Sequence, residues 1–289
     1  MQMTRTLLSL GHGYSARALA RLLLPEGWQV IGTTRDPEKM DTLRATGVSP
    51  LLWEADGIRA ALDQATHVLV STAPKEGTDP ALRLIGSAMA DHAKRLDWVG
   101  YLSTTAVYGD HQGGWVDEDT PLTPASDRGQ ARVRAERDWA AIDDLPLHIF
   151  RLAGIYGPGR GPFAKVRNGT ARRVIKENQV FSRIHVDDIA LALFASIRQP
   201  SPGAVYNLCD DDPAPPQDII ACAAELLGLP IPPKVSFEEA DLSPMARSFY
   251  GESKRISNTR LRKELGVSLL YPDYRSGLMA ILSAEQDNR

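Results

Sequence analysis

Three groups of residues have types and spacings that could do chemistry. In SLGHGYSARAL, Gly11 and Gly13 stand where a short apolar run gives way to a helical one. Gly11 permits a tight turn, Gly13 lets a diphosphate approach the backbone, and Ala16 is small enough for close helix packing. The helix that follows would then point its free N–H groups at the anion. A second group is VIGTTRDP, where Thr34 takes the slot in which a carboxylate would grip ribose hydroxyls and Arg35 follows it. An arginine there suits the extra phosphate of NADP, whereas Asp36 turned inward would favour NAD, and a solvated Arg35 would favour neither. NADP is the expected coenzyme. The third group is SFYGESKR, with Tyr250 and Lys254 four residues apart.

Positioning the first two groups takes a particular order of elements. RTLLSL, WQVIGTT, SPLLWE, THVLVSTA, WVGYLSTT and LPLHIFRLA read as strands. Between or after them, YSARALARLLL, PEKMDTLRAT, PALRLIGSAMADHAKRL and RGQARVRAERDWAAI read as helices. Strands alternating with helices predict an α/β, Rossmann-type doubly wound parallel sheet covered on both faces. After Leu152 the pattern weakens. GIYGPGRGPFAKVRNG reads as a loop, VDDIALALFASI as a helix with Asp187 and Asp188 capping its start, and AVYNLC as a short strand. Short helices such as PQDIIACAAELLG and NTRLRKELG follow between proline-rich links. The expected organisation is a dinucleotide-binding domain over residues 1–155, with returning segments at about 181–208. A smaller, interleaved C-terminal lobe of residues 156–180 and 209–289 would bind substrate.

The totals narrow the function. The 289 residues are 43% hydrophobic and 24% charged, as in an ordinary globular protein. A net charge of −3 gives no general attraction to nucleic acid or to an anionic membrane. Cys209 and Cys222 lie in apolar surroundings and read as reduced thiols of a cytoplasmic chain. The first apolar run is too short for a leader peptide, and Gly-His-Gly interrupts it. No two histidines share a ligand spacing, so no metal is expected, and the GxSxG of a serine hydrolase is absent.

YLSTTAVYGD, FRLAGIYGPGRGPF, RIHVDDIA and VYNLCDDDP occur in that order. With the glycine turn they resemble the extended short-chain dehydrogenase/reductase family, over roughly residues 4 to 275. The resemblance implies a nicotinamide coenzyme across the sheet edge, and a C-terminal lobe closing over a small substrate, often a nucleotide-linked sugar. It puts Gly11, Gly13 and Tyr14 at the phosphates and Asp56 near the adenine. Ser71, Thr72 and Ala73 fall along the ribose side, Lys75 near a phosphate, and Ile155 against the nicotinamide. It also implies pairing of two chains through the helices flanking the sheet, a possible homodimer.

The family's reactive trio is a hydroxyl residue, a tyrosine, and a lysine four residues after the tyrosine. Thr104 matches the hydroxyl slot. The tyrosine and lysine slots, on the helix after the fifth strand, hold Arg128 and Arg132. Arginine stays protonated and cannot shuttle a proton, though it can bind an anion or polarise a carbonyl. The alternative is a basic stripe balanced by Glu136 and Asp138. Tyr250 and Lys254 fall far beyond that helix and are expected to be a chance pair. His111, a side chain of the kind that can shuttle a proton, and Tyr108, otherwise a packing aromatic, are the substitutes nearest the same cleft. Arg151, Arg160 and Arg183 could meet an anionic substrate, with Arg151 alternatively a structural ion-pair partner. Two functions stay open: an atypical oxidoreductase or epimerase on a small polar or anionic substrate, or a catalytically silent nucleotide-binding sensor or scaffold.

Overall fold

The computed structural model describes residues 5–287; residues 1–4, where the leader-peptide reading begins, lie outside them. Seven strands form the main sheet: β1 (Thr6–Leu10), β2 (Gln29–Thr34), β3 (Ser49–Leu52), β4 (His67–Val70), β5 (Trp98–Thr104), β6 (Leu147–Leu152) and β7 (Val205–Leu208). Their spatial order is β7-β6-β5-β4-β1-β2-β3, and every pairing is parallel. This is the doubly wound α/β sheet that the alternation of elements predicts. The chain leaves β1 toward β2 and β3, then crosses back to β4 on the other side. The crevice at that reversal, beyond the strands' carboxyl ends, is where such sheets bind ligands.

All five residues of β1 are buried. Alternate side chains enter opposite layers. Leu7 joins Leu19, Trp98, Phe150 and Leu193 on one face, beneath α1 (Tyr14–Leu23) and α6 (Val186–Arg198). Leu8 and Leu10 join Ile58, Met89, Tyr101 and Trp139 on the other, beneath α3 (Ala55–Leu62), α4 (Pro80–His92) and α5 (Asp127–Ala140). The short α2 (Met40–Ala45) adds Leu43 to the first layer.

Two elements go beyond the sequence pattern. Helix α3 carries Gly57 in its first turn, unfavourable by intrinsic propensity; burial of Ile58, Ala61 and Leu62 on one side carries it. The segment expected to be loop from Gly154 contains a strand, Gly154–Tyr156, paired in parallel with Arg183–His185, and a helix, Phe163–Arg167. Such short pieces owe their form to distant partners rather than to local periodicity.

The C-terminal lobe has its own small core. Tyr156, Phe163 and Val166 meet Ala223 of α7 (Pro216–Leu226) and Tyr274, Leu278 and Ile281 of α8 (Tyr274–Asp287). The lobe is stitched back by a parallel pair between Arg255–Ile256 and Trp115–Val116. Among the described residues, no helix is long and apolar enough to cross a membrane.

Candidate functional site: the crevice beside the glycine turn

Gly11 ends β1 with φ of +81°, and a Cβ there would lie 2.9 Å from Thr72 Cγ2. Only glycine fits both the backbone conformation and the space. The turn is pinned by Gly11 N–H donating to Thr33 Oγ1 (2.7 Å) and by Thr33 Oγ1 donating to Ser9 O (3.1 Å). Gly13 caps α1, and no side chain caps that helix start. A Cβ on Gly13 would find nothing nearer than Gly11 O at 3.7 Å. The N–H groups of the first turn have no intrahelical acceptor, the arrangement that receives an anion.

Around this turn the sequence-derived residues fall into two sets. Ser71 and Thr72, just after β4, lie directly against it. Ser71 Oγ donates to Leu10 O (3.3 Å) and to Gly11 O, and Thr72 Oγ1 is buried with no protein partner. Ala73 follows, exposed. Tyr14 donates its hydroxyl to Pro158 O (2.9 Å) beneath the guanidinium of Arg160, 5.8 Å from the ring. Ile155 is half-buried on the same side, packed against α1 and α6 residues. The second set lies outward. The Asp56 side chain is fully exposed and pairs with Arg59 (3.3 Å). Lys75 is exposed in a tight turn with Thr78 and pairs with Glu76 (3.5 Å).

At the end of β2, Thr34 Oγ1 accepts from Asp36 N–H (3.1 Å), while the Asp36 carboxylate accepts from Glu38 N–H (3.1 Å) and pairs with Lys39 (3.0 Å). Arg35 is exposed and makes no hydrogen bond or ion pair with the other described residues.

His12, which the sequence reading passed over, is buried between the two glycines with neither ring nitrogen partnered. Its Cγ would lie 2.7 Å from a Cβ at Gly32. Burial, reinforced by Arg17, holds its pKa down to about 4, so it is a neutral spacer between β1 and β2 at ordinary pH. Its place inside the glycine motif was the available signal.

The residues proposed for proton chemistry are dispersed. Thr104 ends β5 and accepts from Ala106 N–H (3.3 Å), capping the turn Thr105–Tyr108. Tyr108 is fully buried; its hydroxyl donates to Asn207 Oδ1 (2.7 Å) and accepts from Arg151 (3.0 Å). Burial pushes its pKa up to about 12. It has the geometry of the packing aromatic, not of a shuttle open to a cleft. His111 Nε2 lies 3.1 Å from Tyr108 O, and its backbone N–H donates to Ser253 O (3.1 Å). On α5, Arg128 is exposed, with its guanidinium 4.6 Å from the ring centre of Phe249 in the C-terminal lobe. Arg132 turns inward, donating from Nη1 to Leu102 O (2.8 Å), Tyr101 Oη (2.9 Å) and Thr72 O (3.3 Å).

Several expectations need correction. Glu136 does not balance the arginine stripe: it is buried and pairs with Arg151 (2.8 Å) while accepting from Ser103 Oγ. Asp138 pairs with Arg137 (3.3 Å). Arg151 is therefore the structural ion-pair partner, buried where no substrate reaches. Arg183 donates to Phe181 O (2.8 Å) and Ala214 O (3.2 Å). The α6 start is capped by His185 Nδ1, which accepts from Asp187 N–H (3.2 Å). Asp188 instead accepts from Leu270 N–H (2.6 Å) and Tyr271 N–H (3.2 Å), tying the lobe to the sheet. Tyr250 packs against Phe181 and Phe237, and Lys254 pairs with Glu252 (2.6 Å) and donates to Gly109 O. Neither reaches the glycine turn.

This sheet, with a glycine turn at its reversal, defines a dinucleotide-binding class of protein. The chain belongs to the NAD dependent epimerase/dehydratase family, which it matches over residues 10–209. It is 31% identical over 283 residues to Protein YeeZ of Escherichia coli (strain K12), covering 91% of this chain and 95% of that one. A conserved protein of unknown function from Silicibacter pomeroyi DSS is 59% identical, with a TM-score of 0.91 over 98% of this chain and 100% of that one. MoeE5, solved with UDP-glucose and NAD, is 21% identical with a TM-score of 0.77, over 99% and 100% of the two chains.

The expectation of NADP is corrected by these comparisons. The family is described as NAD dependent. MoeE5 and the dTDP-glucose 4,6-dehydratase of Bacillus anthracis str. Ames are both solved with NAD; the dehydratase is 17% identical, with a TM-score of 0.77 over 99% and 97% of the chains. Arg35 has the geometry of a solvated surface cation.

Proposed function

We propose that the chain is an NAD-dependent oxidoreductase or epimerase of a small polar, nucleotide-sugar-like substrate, held between the sheet edge and the C-terminal lobe. The observation that carries this is the room beside Gly13, where a Cβ would meet nothing nearer than 3.7 Å, backed by the uncapped start of α1 at the sheet's reversal. In this reading the first-turn N–H groups and Gly13 hold the diphosphate, and Tyr14 borders it. Ser71, Thr72 and Ala73 form the floor under the ribose, where the unpartnered Thr72 Oγ1 finds an acceptor or donor. Ile155 supplies an apolar wall. Asp56 and Lys75 serve only the solvent-facing rim, at the adenine and a phosphate. The nicotinamide, when bound, supplies or accepts hydride.

The chain's own residues then orient and polarise. Thr104 directs the substrate oxygen, and Arg128 takes the place of the usual phenol as a fixed cation that attracts an anionic or carbonyl oxygen without moving a proton. His111 is the group that would carry the proton. Loss of the tyrosine and lysine also favours a second reading, an NAD-bound sensor without turnover.

Calorimetric titration with NAD and NADH, followed by anaerobic incubation with a panel of nucleotide sugars, tests both. Binding with turnover of a panel member is the expected outcome. Binding without turnover selects the sensor, and absence of binding overturns the coenzyme site.

A further inference from the structure

Arg132 stands in the slot of the family's lysine, yet its guanidinium is committed to the protein rather than left open to a ligand. One nitrogen, Nη1, faces three acceptors on two neighbouring strand ends: Leu102 O and Tyr101 Oη on β5, and Thr72 O just past β4. No carboxylate forms an ion pair with it among the described residues, although the buried Asp79 lies near enough to feel its charge. Burial raises the Tyr101 phenol far above its ordinary range, which keeps that oxygen a neutral acceptor.

Thr72 is gripped from both sides. Arg132 holds its carbonyl, while its Cγ2 and backbone nitrogen sit 2.9 and 3.3 Å from where a Cβ of Gly11 would be. The neighbouring Ser71 Oγ donates to Leu10 O and Gly11 O. A continuous line of contacts therefore runs from α5 through the end of β4 to the glycine turn. Its one unsatisfied member, Thr72 Oγ1, is buried on that line.

We infer that Arg132 is a positioning residue for coenzyme binding: it clamps the ends of β4 and β5 so that residues 71–73 and the Gly11 turn keep the shape that receives the dinucleotide. The inference rests on the coenzyme reading above and assigns this arginine neither proton transfer nor ligand contact. Arginine suits the task because it stays charged and its long side chain brings one nitrogen of the planar head to all three acceptors. Lysine keeps the charge on a shorter stem.

The test is NAD titration of the full chain and its Arg132 variants, with melting curves and hydrogen exchange of the unliganded proteins. Arg132→Met is expected to raise the Kd for NAD about tenfold or more, the scale of one lost charge-assisted contact. Amides of residues 70–73 should exchange faster while those of β2 and β6 do not. Arg132→Lys should fall between, and millimolar guanidinium should restore part of the affinity of Arg132→Gly. A folded Arg132→Met that binds NAD as the unaltered chain does overturns the clamp and leaves the coenzyme site standing. Should Arg132→Met not fold, unchanged NAD affinity in Arg132→Lys overturns it instead. An unaltered chain that binds no NAD overturns both.

Discussion

The interior of the sheet and the seam between sheet and C-terminal lobe differ in how much of the contact is polar. In β1, β4 and β5 most side chains are apolar and nearly all are buried, and parallel ladders satisfy the backbone. The lobe meets the sheet partly through Ile256, Leu261, Leu265 and Val267, which join the first apolar layer, and partly through polar contacts: Asp188 with two N–H groups of residues 270 and 271, Asn207 Nδ2 with Ser257 O (3.3 Å), and Ser182 Oγ with Ile256 N–H (3.0 Å). Apolar burial is non-directional and stabilises broadly. Hydrogen bonds contribute less each but fix a geometry. The sheet thus provides stability, and the polar seam sets where the lobe stands over the crevice.

Breaking the sheet should have the largest effect. Trp98 is fully buried, 5.8 Å from the His148 ring and donating to Ser196 Oγ (3.0 Å). Trp98→Ala is expected to cost about 3–5 kcal/mol, read by denaturant titration as one cooperative loss across the molecule. Loss confined to the lobe would contradict the division.

The next effect is pH-dependent and also lives in the sheet. His148 Nε2 accepts from Ser201 N–H (2.8 Å) while Nδ1 lies 3.0 Å from Pro146 O, so the ring is neutral. Burial lowers its pKa to about 4. A histidine whose folded pKa is depressed stabilises the fold above its unfolded pKa of about 6.5 and loses that contribution as pH falls through the folded value. The loss is on the order of 3 kcal/mol between pH about 6.5 and about 4. His148→Gln, which retains an acceptor without a titrating ring, should show a shallower fall in melting temperature over that interval. An equal slope would exclude His148 as a source.

Cutting the seam should do less to stability and more to position. Asp188→Ala leaves two backbone N–H groups without their acceptor and is expected to cost about 1–3 kcal/mol, with faster hydrogen exchange in residues 266–287 and little change in β1 and β4. Uniform acceleration across both regions would erase the distinction. The smallest effect belongs to the surface pair Arg21–Asp187, 2.9 Å apart. Arg21→Ala should change stability by less than about 1 kcal/mol, and by less still in high salt.

Legibility followed the same division. Every main-sheet strand and the glycine turn could be read from apolar runs and a two-glycine spacing, because those signals are local. Glu136 could not: it looks like one more charge on a polar helix, and only the fold brings it to Arg151 and Ser103. Asp188 resembles a helix cap until Leu270 and Tyr271 arrive from more than eighty residues away. Tyr108 and Arg132 were legible as polar groups near the crevice but not as groups whose hydrogen bonds are already committed to the protein.

By itself, then, the sequence determined the alternation of strands and helices, the place where the backbone must bend without a side chain, and the absence of a phenol from the helix after β5. Periodicity, glycine's conformational freedom and residue identity are properties of neighbouring positions. The tertiary structure decided which charged and polar side chains face one another, which are sealed from water, and which stay open to a ligand. Those outcomes depend on distances between segments far apart in the chain, and on burial, which changes the protonation and reach of a group without changing its name.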